Sequence, residues 1–246
     1  MDAQSAQLWE HGAIGVEELD GALRAAFTDA TRAAAARDRL APQAVIETVD
    51  DTHGLDAARD LLTIEVAGGF AVHPPWLDPP TGSIGIAIDP GHAFGSGSHP
   101  STRLALDLIG TEVRQGQRVL DIGCGTGVLS IAAALVGAGV VAVDIDPAAV
   151  DATIANVARN GVADSVAVRS GSVDPGDGTP YDLVVVNVTI DIHEHIAGEL
   201  HPAHPRLIVA GILGPTQLDR CAAAYGATTD RHIESDGWMA AVLTRS

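Results

Sequence analysis

The sequence predicts an α/β fold: a doubly wound, mostly parallel sheet with an antiparallel edge strand, preceded by a small N-terminal α+β domain. Short runs of Val, Leu and Ile alternate with Ala-rich helical segments over residues 83–246, a pattern typical of parallel sheets covered by helices. The chain is 46% hydrophobic but only 3% aromatic, which indicates an aliphatic core. A Gly-rich turn at 123–127 joins the first strand of this region to a helix.

Residues 1–58 are predicted to form the small N-terminal domain. Ala and Arg, both strong helix formers, predict a helix over 30–40, and a β-branched run predicts a short strand at 45–49. Residues 59–82 contain one further strand candidate and four prolines. Because helix interiors and central strands exclude proline, we expect a linker at 59–82.

Residues 83–246 are predicted to form the doubly wound domain. Helices are expected at 128–136 and 147–160, the second with Asp146 as its N-cap and Gly161 as its C-terminal stop. Buried parallel strands are expected at 119–122, 140–144, 166–168, 183–187 and 207–210. The last segment, 238–244, is expected to be the antiparallel edge strand.

The charge of the chain is strongly negative. It has 32 acidic residues against 14 basic ones, a formal charge of −18, and every basic residue is Arg. A protein this acidic lacks the positive surface that general nucleic-acid or anionic-membrane binding requires, so we expect no direct nucleic-acid contact. Two explanations stay open: the charge serves solubility, or it attracts a cationic partner such as a Lys-rich protein.

Signals for other compartments are not found in the sequence. No apolar run approaches the ~20 residues of a membrane span, and the N-terminus lacks the basic region of a secretory signal. Two cysteines cannot build a disulfide framework. We therefore expect a cytoplasmic protein without membrane attachment.

The Gly-rich turn has the spacing Gly123-x-Gly125-x-Gly127. Glycines there permit positive φ angles and let a ligand approach the backbone closely. The order differs from the G-x-G-x-x-G of dinucleotide sites, and a P-loop would need a following Lys. An ordinary strand–helix turn is the alternative interpretation.

Asp144 ends the next strand, 21 residues after Gly123. In doubly wound nucleotide-binding folds, a carboxylate at this place accepts hydrogen bonds from both ribose hydroxyls. The sequence therefore predicts a nucleoside site at the carboxyl edge of the sheet.

A second Gly-rich segment precedes the first helix of this domain. Residues 89–102 read DPGHAFGSGSHPST, a composition that predicts a flexible, polar lid. Ser101 and Thr102 have two interpretations: they cap the helix, or they hydrogen-bond the amino-acid end of a cofactor.

Both Gly-rich segments resemble those of a known family. Residues 121–127 resemble motif I of class I methyltransferases, and 89–102 resemble the D/E-P-G-x-A-F-G-T-G-x-H-x-T-T signature of PrmA, a family that modifies a large-subunit ribosomal protein. The resemblance covers about 83–246, and residues 8–18 more weakly resemble the start of that family's small substrate-recognition domain. It implies a Rossmann-like class I methyltransferase fold, S-adenosyl-L-methionine as cofactor and a basic, ribosomal protein as substrate.

The resemblance also implies the roles of particular residues. Asn187, at the end of the fourth strand, is implied to face both cofactor and substrate amine, and Gly171 and Ser172 follow the strand after which adenine is recognised. The implied cofactor-binding residues are Thr102, Gly123, Asp144, Asn187, Phe94 and Gly125.

The chain departs from the family pattern in three places, mostly on the substrate side. After Asn187 it reads VTIDIHEH over 188–195, a His- and Pro-containing run at 201–205 replaces a Gly-rich turn, and the region 55–76 matches poorly.

Methyl transfer from a sulfonium to an amine depends mainly on positioning. Desolvation lowers the pKa of an ammonium and favours its reactive form, so no dedicated base is required. We expect Asn187 to orient the amine, through its side-chain carbonyl or through neighbouring backbone carbonyls. Thr189 and His193 are alternative relays, although a solvated helix position is the expected place of His193. No metal site is expected, because His193 and His195, two apart on a helix, do not share a face.

The predicted function is transfer of methyl groups from S-adenosylmethionine to lysine side chains, and as a second target an N-terminal amine, of a ribosomal protein. Two alternatives stay open. The enzyme modifies another protein lysine or a small molecule, or the chain is a cofactor-binding module that has lost catalysis.

Overall fold

The computed structural model divides the chain into two units, Met1–Thr63 and Ile64–Ser246. The residues that it describes are 7–8, 11, 13, 15–19, 22–27, 30–40, 42–46, 64–89, 97–173, 180–201, 203 and 205–245.

The first unit contains an antiparallel hairpin and a helix. Strands β1 (Gly15–Leu19) and β2 (Ala22–Ala26) form the hairpin, and helix α1 (Ala30–Leu40) follows where Ala and Arg predict it. The strand expected at 45–49 lies mostly outside the described residues. Its first two residues, which are described, are not in a strand.

The second unit begins with a three-stranded sheet of β3 (Glu65–Ala67), β4 (Phe70–His73) and β5 (Ile84–Ala87). Two of these strands lie within 59–82, which the sequence analysis assigns to a linker. The four prolines occupy the connection between β4 and β5, so they separate the strands and do not disrupt them. All four residues of β4 are buried, and the whole of this small sheet belongs to the second unit.

The main sheet has seven strands in the order β11-β12-β10-β9-β6-β7-β8. The strands are β6 (Arg118–Ile122), β7 (Gly139–Asp144), β8 (Val166–Ser170), β9 (Leu183–Asn187), β10 (Arg206–Leu213), β11 (Ala227–Ser235) and β12 (Trp238–Arg245). Neighbours from β10 to β8 are parallel, and β12 runs antiparallel to both of its neighbours. The predicted α/β class is therefore confirmed, with one difference: β11 pairs outside β12, so the antiparallel strand is second from the edge.

Helices follow most of the parallel strands. They are α2 (Pro100–Glu112), α3 (Val128–Leu135), α4 (Pro147–Arg159), α5 (Ile190–Glu199) and α6 (Gly214–Tyr225). Helix α4 starts as predicted: the Asp146 side chain accepts a hydrogen bond from the backbone N–H of Ala148, and Gly161 follows the helix with φ +68°.

The start of α2 differs from the sequence interpretation. His99, and neither Ser101 nor Thr102, is the N-cap, and its ring nitrogen accepts a hydrogen bond from the backbone N–H of Ser101. Pro100 occupies the first helical position, where its missing N–H costs nothing. Ser101 and Thr102 therefore lie in the first turn of the helix, and both are buried.

Candidate active site

The Gly-rich turn between β6 and α3 has the conformation that its glycines allow. Gly123, Gly125 and Gly127 have φ angles of +73°, +57° and +83°, a region that side chains other than glycine rarely adopt. Gly123 also allows a close approach, because a Cβ there would lie 2.9 Å from a methyl carbon of Val188. The backbone N–H groups of residues 123 and 124 both donate to the carbonyl of Val143, at 2.9 and 3.1 Å, which fixes the turn against β7.

Asp144 is linked directly to this turn. One carboxylate oxygen accepts from the backbone N–H of Gly125 at 3.0 Å, and the other accepts from that of Asp146 at 2.9 Å. Each oxygen has a second lone pair for a further donor. The carboxylate is partly exposed at the end of β7, so it is available to the hydroxyls of a sugar.

Asp121 is the next-to-last residue of β6, directly before the turn, and from the sequence it was singled out only as part of the motif. It is buried, and the hydroxyl of Ser130 donates to it at 2.5 Å. Burial raises the pKa of Asp121 to about 6, with the charge of Asp144 adding to the rise and the bond from Ser130 opposing it. This hydrogen bond links β6 to α3, the two elements that the turn connects.

Thr102 and Asn187 are 85 residues apart in sequence and meet at the same edge of the sheet. The side-chain amide of Asn187 donates to the Thr102 hydroxyl at 3.3 Å. Thr102 is buried in the first turn of α2, and Asn187 is partly buried at the end of β9. Because β9 lies beside β6, this pair and the Gly-rich turn lie at the carboxyl ends of neighbouring strands.

Gly211 allows the backbone to pack tightly next to Asn187. A Cβ at Gly211 would lie 2.3 Å from the carbonyl oxygen of Val188, and its φ is +82°. The ladder between β10 and β12 is irregular between Val209 and Ile212. Glycine is thus required at this point of β10, where the chain passes close to the backbone that follows Asn187.

His99 anchors the start of α2. Its ring makes a 2.7 Å hydrogen bond with the Ser101 hydroxyl and packs edge-on against Trp238, with ring centroids 4.5 Å apart. Burial lowers the pKa of His99 to about 3, and the charge of Arg103 lowers it further. The imidazole is therefore neutral at physiological pH. Phe94, like the other residues at 90–96, lies outside the described residues.

His193 is not the solvated residue that the sequence analysis expects. It is fully buried, and its ring nitrogens bond the carbonyl of Ala210 at 2.9 Å and the hydroxyl of Tyr225 at 3.1 Å. Burial lowers the pKa of His193 to about 4. Because a carbonyl only accepts, Nε2 carries the proton and Tyr225 donates to Nδ1. Ala210 pairs in register with Asn187, so His193 acts as a support for the strand ends and is not exposed as a relay.

The remaining candidates lie at the periphery of this arrangement. Thr189 is the N-cap of α5 without a side-chain capping bond. The backbone N–H of Gly171 donates to the carbonyl of Asp144 at 2.9 Å, and the Ser172 hydroxyl donates to Glu199 at 2.6 Å. The turn that follows β8 is therefore beside the end of β7, but the Ser172 side chain already has a partner.

The donor set fits a sulfonium nucleoside with an amino-acid tail. A carboxylate suits the sugar diol, Gly-rich backbone suits close contact, and a hydroxyl and an amide suit a zwitterionic end. The strand order and the site at the carboxyl edge define a class I methyltransferase. The fold resembles that of the Thermus thermophilus 16S rRNA N2 G1207 methyltransferase RsmC (TM-score 0.52, 19% identity, covering 63% of this chain and 46% of that one).

Comparisons with known proteins specify the family. The model of the ribosomal protein L11 methyltransferase family, PrmA, matches residues 8–246. The chain belongs to this family, and it is an S-adenosylmethionine-dependent methyltransferase. The predictions of family, enzyme class and cofactor are therefore confirmed.

Individual relatives are similar over different lengths. A ribosomal protein L11 methyltransferase of Deinococcus radiodurans is 34% identical over 93% of this chain and 87% of its own. One of Ralstonia pickettii is 40% identical over 72% of this chain but 60% of its own. The crystal structure of a ribosomal protein L11 methylase from Lactobacillus delbrueckii subsp. bulgaricus has a TM-score of 0.66 and 27% identity, and covers 74% of this chain and 98% of that one.

Among the described residues, no helix is both long and apolar enough to cross a bilayer. Likewise, the parts of the chain that the structure describes contain no cluster of three or more His, Cys, Asp or Glu side chains that could hold a metal ion.

Proposed function

We propose that this protein transfers methyl groups from S-adenosylmethionine to amine nitrogens of ribosomal protein L11, in the cytoplasm. The observation that carries the proposal is the hydrogen bond between Thr102 and Asn187 beside the Gly-rich turn, in a chain of the PrmA family. The targets that we propose are lysine side chains and, second, the N-terminal amine.

In this proposal the cofactor half of the site comprises residues 123–127 and Asp144. Asp144 accepts from the ribose hydroxyls, Gly123 and Gly125 provide backbone that the cofactor approaches, and Thr102 contacts its amino-acid end. Phe94 is proposed as a neighbour of the cofactor. When bound, S-adenosylmethionine supplies a methyl group on a positively charged sulfur, from which an amine lone pair displaces a neutral thioether.

The amine half comprises Asn187 together with Thr102, which the two halves share. Because the amide nitrogen of Asn187 donates to Thr102, its carbonyl oxygen is left to accept an N–H of the substrate amine. Accepting that hydrogen bond aims the nitrogen lone pair away from Asn187. The amine must be neutral to react, and leaving water for this site lowers the pKa of an ammonium. Asn187 therefore orients the nucleophile and does not remove its proton.

The charge of the chain supports a basic protein substrate. A formal charge of −18 attracts a Lys-rich partner and speeds its encounter. We propose that the N-terminal residues, about 1–58, form the substrate-recognition part, as their weaker resemblance to the small domain of the family suggests.

Radiolabelled methyl transfer tests the proposal. Isolated large-subunit ribosomal proteins are incubated with the enzyme and methyl-labelled S-adenosylmethionine, with Asn187→Ala as the matched variant of strongly reduced activity. We expect label on ribosomal protein L11, located on lysine by peptide mapping. Label on another protein or on a small molecule would replace the proposed substrate. Cofactor binding without turnover would reduce the chain to a binding module.

A further inference from the structure

Asn156, on helix α4, joins two segments that are far apart in sequence. Its side chain is fully buried. The amide nitrogen donates to the carbonyl of Thr126 at 3.0 Å and to that of Asp89 at 3.1 Å. The amide oxygen accepts from the backbone N–H of Asp89 at 3.1 Å and from Arg159 at 2.5 Å. One buried side chain thus connects the Gly-rich turn to Asp89.

The backbone around Asp89 is held from both sides. The N–H of Ile88 donates to the carbonyl of His73 in β4 at 2.9 Å. On the opposite side, Asn160 donates to the carbonyl of Ala87 and accepts from its N–H, both at 2.8 Å. Asn156 lies in α4 and Asn160, four residues further on, is the C-cap of that helix, and Ala87 and Asp89 are two apart on an extended chain. The two asparagines therefore act as a neighbouring strand for residues 87–89.

The two asparagines differ in what else they contact. Besides Ala87, Asn160 bonds a backbone carbonyl of its own helix, that of Asn156, at 2.8 Å. Asn156 reaches Thr126, inside the turn that carries Gly123, Gly125 and Gly127. Removal of its side chain removes three hydrogen bonds to the backbone, one to the buried carbonyl of Thr126 and two to the partly buried carbonyl and N–H of Asp89, and the loss of such bonds is costly.

We propose that Asn156 is a positioning residue for the cofactor site: it fixes the Gly-rich turn relative to the segment that enters the 89–102 signature. It acts through Thr126 and Asp89 and not through contact with the cofactor. The inference rests on the proposed role of the turn in cofactor binding.

Paired substitutions test this role by calorimetry with S-adenosylmethionine. Asn156→Ala is expected to weaken binding by about tenfold, whereas Asn160→Ala, the matched control at the C-cap of the same helix, changes the Kd by less than about threefold. Amide hydrogen exchange without cofactor gives a second readout. Exchange at residues 123–127 accelerates in Asn156→Ala and not in Asn160→Ala. Equal Kd values and equal exchange in the two variants would overturn the proposal.

A second variant covers loss of folding. Asn156→Asp keeps the oxygen that accepts from Asp89 and can pair with Arg159, but it cannot donate to Thr126. We expect it to fold and to lose cofactor affinity as Asn156→Ala does; unchanged affinity would contradict the role. If Asp144→Ala weakens binding and neither Asn156 variant does, the positioning role fails and the proposed function stands. If Asp144→Ala has no effect, the proposed site itself fails.

Discussion

The cofactor half of the site is held by hydrogen bonds of 2.8–3.1 Å. Each of them involves a backbone group, and the groups lie at the ends of the neighbouring strands β6 and β7. In the amine half, Thr102 and Asn187 meet through one side-chain bond of 3.3 Å and come from elements 85 residues apart. Because backbone hydrogen bonds hold the turn, we expect it to have its binding conformation before the cofactor binds. A pair brought together by packing depends on α2, β9 and their supports. We therefore expect substitutions at residues 123–127 and at Asp144 to change affinity for the cofactor, and substitution of Asn187 to change the rate.

The largest effect is expected from Asn187→Ala. Without the amide the substrate amine is no longer oriented, and misplacement of reacting groups costs about 100-fold in rate. The Kd for S-adenosylmethionine should stay within about threefold of the wild-type value. Steady-state kinetics with ribosomal protein L11, combined with calorimetry, measure both quantities. A variant that loses affinity and rate to the same degree would erase the distinction between the halves.

Lowering the pH is expected to change the free energy of unfolding in opposite directions through two buried groups, His193 near the amine half and Asp121 near the cofactor half. The pKa of His193 is lowered to about 4 in the folded state, from an ordinary value of 6.5. Between these values the unfolded chain binds the extra proton, so stability falls as the pH falls. For His193 alone, the loss from pH 8 to pH 5 is about 2 kcal/mol. In His193→Gln the free energy of unfolding should therefore fall by about 2 kcal/mol less than in the wild type between pH 8 and pH 5, as measured by urea denaturation.

Asp121, under the cofactor half, should have the opposite effect. Its pKa is raised to about 6 from 3.8, so the folded state binds the proton first and this carboxyl favours folding as the pH falls to 5. The gain is about 1 kcal/mol. Asp121→Asn should therefore make the acid loss of stability steeper than in the wild type. If both variants changed the pH dependence in the same direction, the opposition between the halves would be wrong.

The smallest effect is expected from Thr102→Val, which preserves the shape of the side chain and removes its hydroxyl. One hydrogen bond is worth about 1 kcal/mol, which corresponds to about a fivefold loss of rate at saturating cofactor. Thr102→Ser retains the hydroxyl and should recover most of the activity. Equal activity of the two variants would show that the bond to Asn187 does not matter.

Local signals in the sequence were sufficient for the elements around the cofactor half. Asp146 and Gly161 flank α4, and the Gly-rich turn lies between β6 and α3. These features could be predicted because caps and positive φ angles depend on neighbouring residues alone. Thr102 and Asn187 could not be paired in this way. Their assignment came from the resemblance to a family, and no local pattern indicates that they touch.

The missed features have identifiable physical causes. No side chain of β11 is buried, so this edge strand lacks the alternation by which a half-buried strand is predicted. His193 was expected at a solvated helix position, yet Ile190, His193 and Ile196 recur at three-residue intervals on the buried face of α5. That spacing was the available signal for a buried imidazole.

The central claim is that Asp144, at the end of β7 and bonded to Gly125, holds the ribose of S-adenosylmethionine. Isothermal titration calorimetry with the cofactor on the wild type and on Asp144→Ala tests it most directly. We predict micromolar binding by the wild type and at least a tenfold weaker Kd in the variant, about 1.4 kcal/mol, with the fold retained by circular dichroism. An unchanged Kd in a folded Asp144→Ala protein would contradict the account.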